Sequence, residues 1–369
     1  MKTLTINTAT TTLVKAVALA TNYLAKDGVY VGQLVLSGEN GIISVKATDN
    51  IETICVKDIA FTSNDMTIDS FEPLAIDGKK LLKVLKAAKS ESVSFDIDEK
   101  KVVVRSARSK IKLDRYDEVQ KIEIATTSTS TLNISDKLSE GLKRVTHAID
   151  SNNAKYELNG ALLQVNKGVM SIVSTDTTRL PIATMKVDAS DMEVIVPRRG
   201  VSSIVKLFGG YNINAKMDDT CIVVEASNVI YSTKLINGKF PEFERIVPKS
   251  FIQKLSLDRE SLKSLVEEAS IFENEIIISV DNSEITVSDF ENNTEVIEEI
   301  SAEGISMRFG IKASSAIDFL SSYNEDSVEI CFNESNLPVV LKGSADYREV
   351  IMPIVLSEVE VDSGVENVA

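Results

Sequence analysis

One run of elements recurs three times along this chain, and that repetition limits the fold more than any other feature of the sequence. Each copy opens with a short apolar strand and an amphipathic stretch: LTINTATTTLVKAVALAT from Leu4, LNISDKLSEGLKRVTHAI from Leu132 and LSLDRESLKSLVEEASIF from Leu255. Leu138, Leu142, Val145 and Ile149 stand at helical spacing in the second, as Leu13, Val17, Ala20 and Leu24 do in the first. That spacing predicts one apolar stripe along each helix. Two β-branched runs follow, GQLVLSGENGIISVKATD, NGALLQVNKGVMSIVSTD and IIISVDNSEITVSD, with turns expected at Gly38–Gly41, Asn166–Gly168 and Asp281–Ser283. All three end in Thr-Asp or Ser-Asp, at Asp49, Asp176 and Asp289.

A second half-unit then repeats: LAIDGKKLLKVLKAAKSESVSFDID, VIVPRRGVSSIVKLFGGYNINAKMD and FGIKASSAIDFLSSYNEDSVEICFN. Ile76, Val196 and Ile311 hold equivalent places, 120 and 115 residues apart. The closing strands lie in KVVVRSARSKIKL, TCIVVEASNVIYSTKL and LPVVLKGSADYREVIM. With 369 residues available, the order predicts three tandem α+β domains, residues 1–127, 128–252 and 253–369. A Thr/Ser-rich linker is expected at 126–131 and a second boundary near 251–254. In each, two helices would cover one face of antiparallel sheet.

The residue inventory argues against an enzyme. His147 is the one histidine, and a lone histidine on such a helix is more often packed or solvated than catalytic. Cys55, Cys221 and Cys331 are dispersed, with no CxxC pair, which fits a reducing compartment and signals no metal or redox site. No GxGxxG follows a strand, and neither GxxxxGK[ST] nor GxSxG occurs, so no cofactor is expected. Paired carboxylates acting as acid and base are a distant alternative. No apolar run approaches the roughly 20 residues that span a bilayer. Lys15 interrupts the apolar stretch of residues 1–25, which predicts no secretory signal.

A net charge of −15 suggests at first a poor partner for nucleic acid. The charge is uneven, however: residues 251–369 sum to −18 and residues 1–250 to +3. Either the last third is simply a soluble acidic domain, or acid and base meet across an interface. Head-to-tail repeats leave a free edge at each end, which two chains could close into a ring. The basic edge is expected at Val102-Val103-Val104-Arg105-Ser106-Ala107-Arg108, with Lys79 and Lys80 beside it. The acidic end carries Glu291, Glu295, Glu298 and Glu299, with Ile271 and Phe272 as apolar anchors. The interface set is therefore Lys80, Arg105, Arg108, Ile271, Phe272, Glu295, Glu298 and Glu299; the alternative is an acidic edge that only blocks aggregation. Lys79, Lys83 and Lys86 form a stripe at helical spacing, echoed by Arg198, Arg199 and Lys206, and by Lys143 and Arg144 on another helix. Such faces are either merely solvated or line a hole and meet phosphates without reading bases. Without interleaved aromatics, duplex is the expected nucleic acid.

These features, with YELNGALL (156–163), STDTTRLPIA (174–183), VIVPRRGV (194–201), STKLINGKFPEFERIVPK (232–249) and VIMPIVL (350–356), resemble the bacterial DNA polymerase III beta subunits, the replication sliding clamps. IDGKKLLKVL (76–85) and VVVRSARSKIKL (102–113) extend the likeness, which runs from Met1 to Leu356. The resemblance implies the DNA-clamp fold: a head-to-tail homodimeric ring around duplex DNA, helices lining the hole and sheets outside. It implies a cytoplasmic, non-catalytic processivity factor that tethers polymerase, clamp loader and repair factors. Lys26 and Tyr156 would join Lys79, Lys83, Lys86, Lys143, Arg198, Arg199 and Lys206 in facing DNA. A pocket for partner peptides would comprise Leu158, Thr175, Thr177, Thr178, Arg179, Leu180, Pro241, Arg245, Ile246, Val350, Met352, Pro353 and Ile354, with Pro338 and Val339 at its rim. A clamp-like decoy that binds such peptides without closing a ring is the alternative.

The chain departs from the family in places. Thr177-Thr178 stands where a Gly-His or similar pair is usual, and Ala25-Lys26-Asp27-Gly28-Val29 replaces Arg-Pro-Thr-Leu-Pro. Met352-Pro353-Ile354-Val355-Leu356 lacks the arginine of Met-Pro-x-Arg-Leu. A further 13 residues, SEVEVDSGVENVA, follow where clamps generally stop. That tail is either a loose acidic terminus or a segment that folds back to compete with partner peptides.

Overall fold

The computed structural model describes residues 4–65, 68–124, 130–134, 137–281 and 283–356. The tail at 357–369 and residues 126–129 of the expected linker lie outside them, whereas Ser130 and Thr131 belong to a strand rather than a linker.

The first copy runs β1 (Leu4–Ala9), α1 (Thr10–Ala20), β2 (Gln33–Glu39), β3 (Ile42–Thr48), β4 (Glu52–Ser63) and β5 (Phe71–Asp77). It continues with α2 (Gly78–Ala87), β6 (Ser92–Ile97), β7 (Lys101–Ser106) and β8 (Ser109–Asp114). The second repeats the order: β9 (Ser130–Ile134), α3 (Lys137–Val145), β10 (Gly160–Asn166), β11 (Val169–Val173) and β12 (Arg179–Lys186). After them come β13 (Met192–Pro197), α4 (Arg198–Phe208), β14 (Ile213–Met217), β15 (Cys221–Ala226) and β16 (Val229–Lys234). The third comprises β17 (Gln253–Asp258), α5 (Arg259–Ala269), β18 (Glu275–Asp281), β19 (Glu284–Asp289) and β20 (Glu295–Glu299). It ends with β21 (Ser306–Lys312), α6 (Ala313–Ser321), β22 (Ser327–Phe332), β23 (Val339–Ser344) and β24 (Tyr347–Ile351).

Local chemistry explains many of these bounds. Asp77 and Asp258 cap α2 and α5, accepting from the N–H of Lys80 (2.9 Å) and Ser261 (2.8 Å). The stripes at Leu13, Val17 and Ala20 and at Leu138, Leu142 and Val145 are buried as their spacing predicts. Their fourth members, Leu24 and Ile149, are also buried but lie beyond a 3-10 turn that ends each helix. Asn40-Gly41 and Lys167-Gly168 all have positive φ, the two-residue hairpin turn matched to strand twist. Gly38, expected in the first turn, instead sits inside β2 at a bulge.

By internal contacts the chain divides into two compact units: residues 1–139, 187–190 and 202–237, and residues 140–186, 191–201 and 238–369. Within the first, one antiparallel sheet runs β8-β7-β6-β1-β4-β16-β15-β14-β9, with β2, β3 and β5 joined through β3–β4 pairing. Within the second, one sheet runs β13-β10-β11-β12-β24-β23-β22-β17 and another β20-β19-β18-β21. Ile76, Val196 and Ile311 are fully buried and pair with Leu34, Ala161 and Ile276 at corresponding points of the three copies.

Two successive copies join in each unit, and they join alike. Strand β4 pairs with β16, placing Ile54 opposite Tyr231 and Val56 opposite Val229. Strand β12 pairs with β24, placing Pro181 opposite Glu349 and Ala183 opposite Tyr347. The N–H of Lys234 donates to the Ile51 carbonyl at 3.0 Å, and that of Met352 to the Thr178 carbonyl at 2.9 Å. The strand after each Asp-capped loop thus takes the last strand of the next copy in one fixed register.

Candidate functional site

The three aspartates that close the hairpins set that register. Asp49 accepts from the N–H of Ile51 and Glu52 (3.0 and 2.8 Å), and Asp176 from those of Thr178 and Arg179 (3.0 and 3.1 Å). Asp289 accepts from Asn293 and Thr294 (both 2.9 Å). The repeated Thr-Asp and Ser-Asp endings are the visible signal for these caps; their role needed the structure. In the second loop Thr177 has φ +76°, a conformation that Asn50 and Asn292 tolerate better in the other copies. Thr177→Gly is expected to raise stability by about 1 kcal/mol, read as a higher urea midpoint at unchanged slope.

Strand pairing brings Thr178, Arg179, Leu180, Val339, Val350 and Met352 together. A Cβ on Gly238 would stand 2.6 Å from Glu157 Cγ, so the segment leading to Pro241, Arg245 and Ile246 passes beside Tyr156–Leu158. Leu158, Leu180, Val339 and Val350 are buried, whereas Ile246, Met352, Leu337 and Val355 are 48, 44, 43 and 74% exposed. Pro353 and Pro338 are half-buried, as is Ile354, whose N–H donates to Gly310. A Cβ at Gly310 would meet Phe290 Cζ at 2.7 Å and Leu356 Cδ2 at 3.1 Å, which lets the last described residues lie close against β21. The result is an apolar surface with a buried floor. Arg245 is exposed and paired with Glu242 at 2.6 Å.

Arg179 does not fit the role of a free partner-facing cation. Its guanidinium donates to Asp176 (2.9 Å), Asp318 (2.8 Å) and the His147 carbonyl (3.0 Å). Burial opposes its charge, but Asp318, Glu349 and Asp176 more than offset that. Thr175 is likewise occupied, its hydroxyl donating to the Arg179 carbonyl at 2.7 Å. His147 is no solvated helix residue: it lies in the 3-10 turn and pairs through Nε2 with Glu349 Oε2 at 2.8 Å. Burial pushes the wholly buried Glu349 carboxyl up, with His147 and Arg179 pulling against it.

The expected DNA-facing side chains are exposed. Lys79, Lys83 and Lys86 stand on α2 opposite buried Leu81 and Leu85. Lys26 lies in the loop after α1, Lys206 on α4 and Lys143 on α3. Tyr156, Arg198 and Arg199 are also exposed, and Arg198 donates to the Ile149 carbonyl.

The expected basic edge needs correction. β7, which carries Val102–Ser106, is internal between β6 and β8, and its Arg105 is paired with Asp96 at 2.6 Å; Arg108 occupies the β7–β8 turn. β8 is the edge, with Lys110 and Lys112 on the face opposite buried Leu113. At the other end β20 is indeed an edge strand. Glu295 and Glu299 are exposed on it, but Glu298 accepts from the Ser261 hydroxyl of α5 at 2.6 and 2.7 Å. Ile271 and Phe272, after α5, are 68 and 72% exposed. Lys80 is exposed beside Asp77 at 3.8 Å.

Among the described residues no group of three or more His, Cys, Asp or Glu is placed to hold a metal ion, and no helix is long and apolar enough to cross a membrane. Burial pushes the Cys55 and Cys221 thiols up, and Cys331, beside Glu329, up to about 11, so all three are poor nucleophiles.

Tandem α+β copies joined by antiparallel strands are the architecture of a clamp. The beta clamp of Helicobacter pylori, solved bound to a DNA ligase peptide, superposes with TM-score 0.87 at 22% identity, over 95% of this chain and all of that one. The family models for the DNA polymerase III beta subunit match at residues 133–242 (central domain) and 244–355 (C-terminal domain). The beta sliding clamp of Pseudomonas putida is 26% identical over 299 residues, 76% of this chain and 81% of that one. That of Helicobacter pylori is 23% identical over 321 residues, 83 and 84%. The chain belongs to the bacterial DNA polymerase III beta subunit family. It is a DNA sliding clamp of replication, a non-catalytic processivity factor.

Proposed function

We propose that two copies of this chain, each of three domains, close head to tail into a cytoplasmic ring that encircles duplex DNA and tethers polymerase and other factors by short peptides. One observation carries the reading: β4–β16 and β12–β24 share a register, which leaves β20 and β8 as the unpaired members of the same series. Thr294 holds the place of Glu52 and Arg179, and Ser109 that of Val229 and Tyr347. Continuing the register sets Val296 opposite the partner's Ile111, Glu295 opposite the partner's Lys112 and Glu299 opposite the partner's Arg108. Glu295 and Glu299 would therefore face cations on one side of the closing strands, flanking Ile297, while Val296 would meet Ile111 of the partner subunit on the other side, next to Glu298. By the same correspondence Ile271 holds the place of His147, and the partner's Ile111 that of Glu349. The closing contact would then be apolar where the internal one is polar. Ile271→Ala with Phe272→Ala is expected to weaken the dimer about a hundredfold by sedimentation equilibrium; an unaltered dissociation constant would remove both from the interface.

The exposed cations on α2, α3 and α4 meet phosphates without reading sequence, so binding is weak, salt-sensitive and compatible with sliding. A partner held by a short peptide on the Met352–Ile246 surface stays near the primer end because the ring cannot leave sideways. The decisive test is retention on circular, nicked DNA and loss on linearisation. Retention unaffected by linearisation, or no retention on the circle, would overturn encirclement and favour the decoy.

A further inference from the structure

Beyond shared register, each junction carries its own groups at one recurring pair of positions. Leu13, Ala16, Val17 and Ala20 of α1 are all buried, as are Leu138, Gly141, Leu142 and Val145 of α3 and Leu262, Leu265, Val266 and Ala269 of α5. Superposed on these stripes, Leu19, Arg144 and Glu268 occupy one position. The strand register aligns Asn228, Asp346 and Arg108 in the turn before the last strand of each copy.

At the β12–β24 junction these two positions meet: Arg144, with 8% of its side chain exposed, is 3.4 Å from Asp346 and 3.1 Å from Glu325. At the β4–β16 junction the corresponding residues, Leu19 and Asn228, are uncharged. At the ends of the chain the charges are the reverse of the internal pair. Glu268 is exposed on α5 and Arg108 exposed in the β7–β8 turn, and neither has an ion-pair partner among the described residues.

We infer that Glu268 and the partner's Arg108 form a charge-reversed copy of the Arg144–Asp346 contact, a key that admits β8 of a second copy to β20. The contact presupposes the closed ring proposed above. Its physical value is selectivity: a β24-type end brought to β20 would set Asp346 against Glu268, like charge on like. Neutral, basic-on-acidic and acidic-on-basic keys then distinguish the three junctions, although their strands pair in the same register.

The test uses the full chain in sedimentation equilibrium at low salt. E268R is expected to raise the dimer dissociation constant about tenfold and R108E by at least as much, because residue 108 also faces Glu299; E268R with R108E together should fall well short of the product of the two single effects. E267R, which alters the neighbouring exposed residue of the same helix, is expected to change it by less than about twofold. A double variant as weak as the two singles combined, or E267R as disruptive as E268R, would overturn the pairing. Both side chains are exposed, so unchanged thermal melts report that folding is intact. A parent chain that stays monomeric at every concentration would overturn the ring itself; a dimeric parent indifferent to E268R would overturn only this contact.

Discussion

Replacing Ile297 by proline is expected to leave the chain folded but monomeric. The N–H of Ile300 donates to the Ser283 carbonyl at 2.8 Å, so alternate N–H groups of β20, those of Val296 and Glu298, point inward to β19. Those of Glu295, Ile297 and Glu299 point away from the sheet. In the first copy the N–H that corresponds to that of Glu299, on the same outward side as Ile297, belongs to Lys57 and donates across the junction to the Asn228 carbonyl at 2.8 Å. Proline at 297 removes an outward donor and sets a ring methylene in the path of the partner strand, while sparing the β19 ladder. The carbonyl left unpaired on the partner strand and the clash with the proline ring together amount to roughly 3 kcal/mol, about a hundredfold in the dissociation constant. Sedimentation velocity should show a single 40.3 kDa species with an unshifted thermal melt. Val296→Pro is the contrast, since it breaks the inward ladder and should lower the melting temperature. A dimer that survives Ile297→Pro would exclude β20 as the closing strand.

His147→Ala is expected to destabilise the second unit strongly, because it strips a wholly buried carboxylate of its hydrogen-bond partner. Glu349 is wholly buried, its Oε2 bonded to His147 and its Oε1 without a hydrogen-bond partner. Arg179 attracts it, and Asp176 repels it. Removing the imidazole leaves a buried carboxylate with its nearest partner gone, a loss of about 3–5 kcal/mol near neutral pH. The sign with pH follows from the raised carboxyl. A folded-state pKa above the unfolded one means the folded protein holds the proton more tightly. Stability from this group is therefore complete below the unfolded value, near 4.5, and is lost as pH rises through the folded one. His147 lowers the Glu349 pKa, so its removal raises that pKa further and deepens the loss. The deficit of His147→Ala relative to the parent should thus be small near pH 4.5 and grow towards pH 8 in denaturant titrations. A deficit independent of pH would mean that lost packing, not the buried carboxylate, is responsible.

The candidate surface is partly legible in the amino-acid sequence. Met352, Pro353 and Ile354, and Thr175 to Leu180, follow from the family resemblance, and strand pairing does bring members of both segments together. Without the resemblance, Leu158, Leu180 and Val350 would pass for ordinary core, and they are in fact buried. What is not legible is that Arg179 is spent on Asp176, Asp318 and a carbonyl, because one of those partners lies 139 residues away. The same holds for His147 and Glu349, 202 residues apart, whose types give no sign that they pair.

The sequence by itself determined the repeat, the helices and the hairpins, because apolar spacing, caps and turn residues act within a few positions. It also determined that acid and base are divided between the ends of the chain, where the first impression of a wholly acidic protein misled. Only the tertiary structure decided that β8 rather than β7 is the edge, that Glu298 is tied to Ser261, and that one register serves both internal junctions. Strands β7 and β8 are both short and amphipathic, so nothing local tells the inner from the outer. Which backbone groups remain unpaired depends on every other strand having found its neighbour, and that is settled by contacts between residues far apart in the chain.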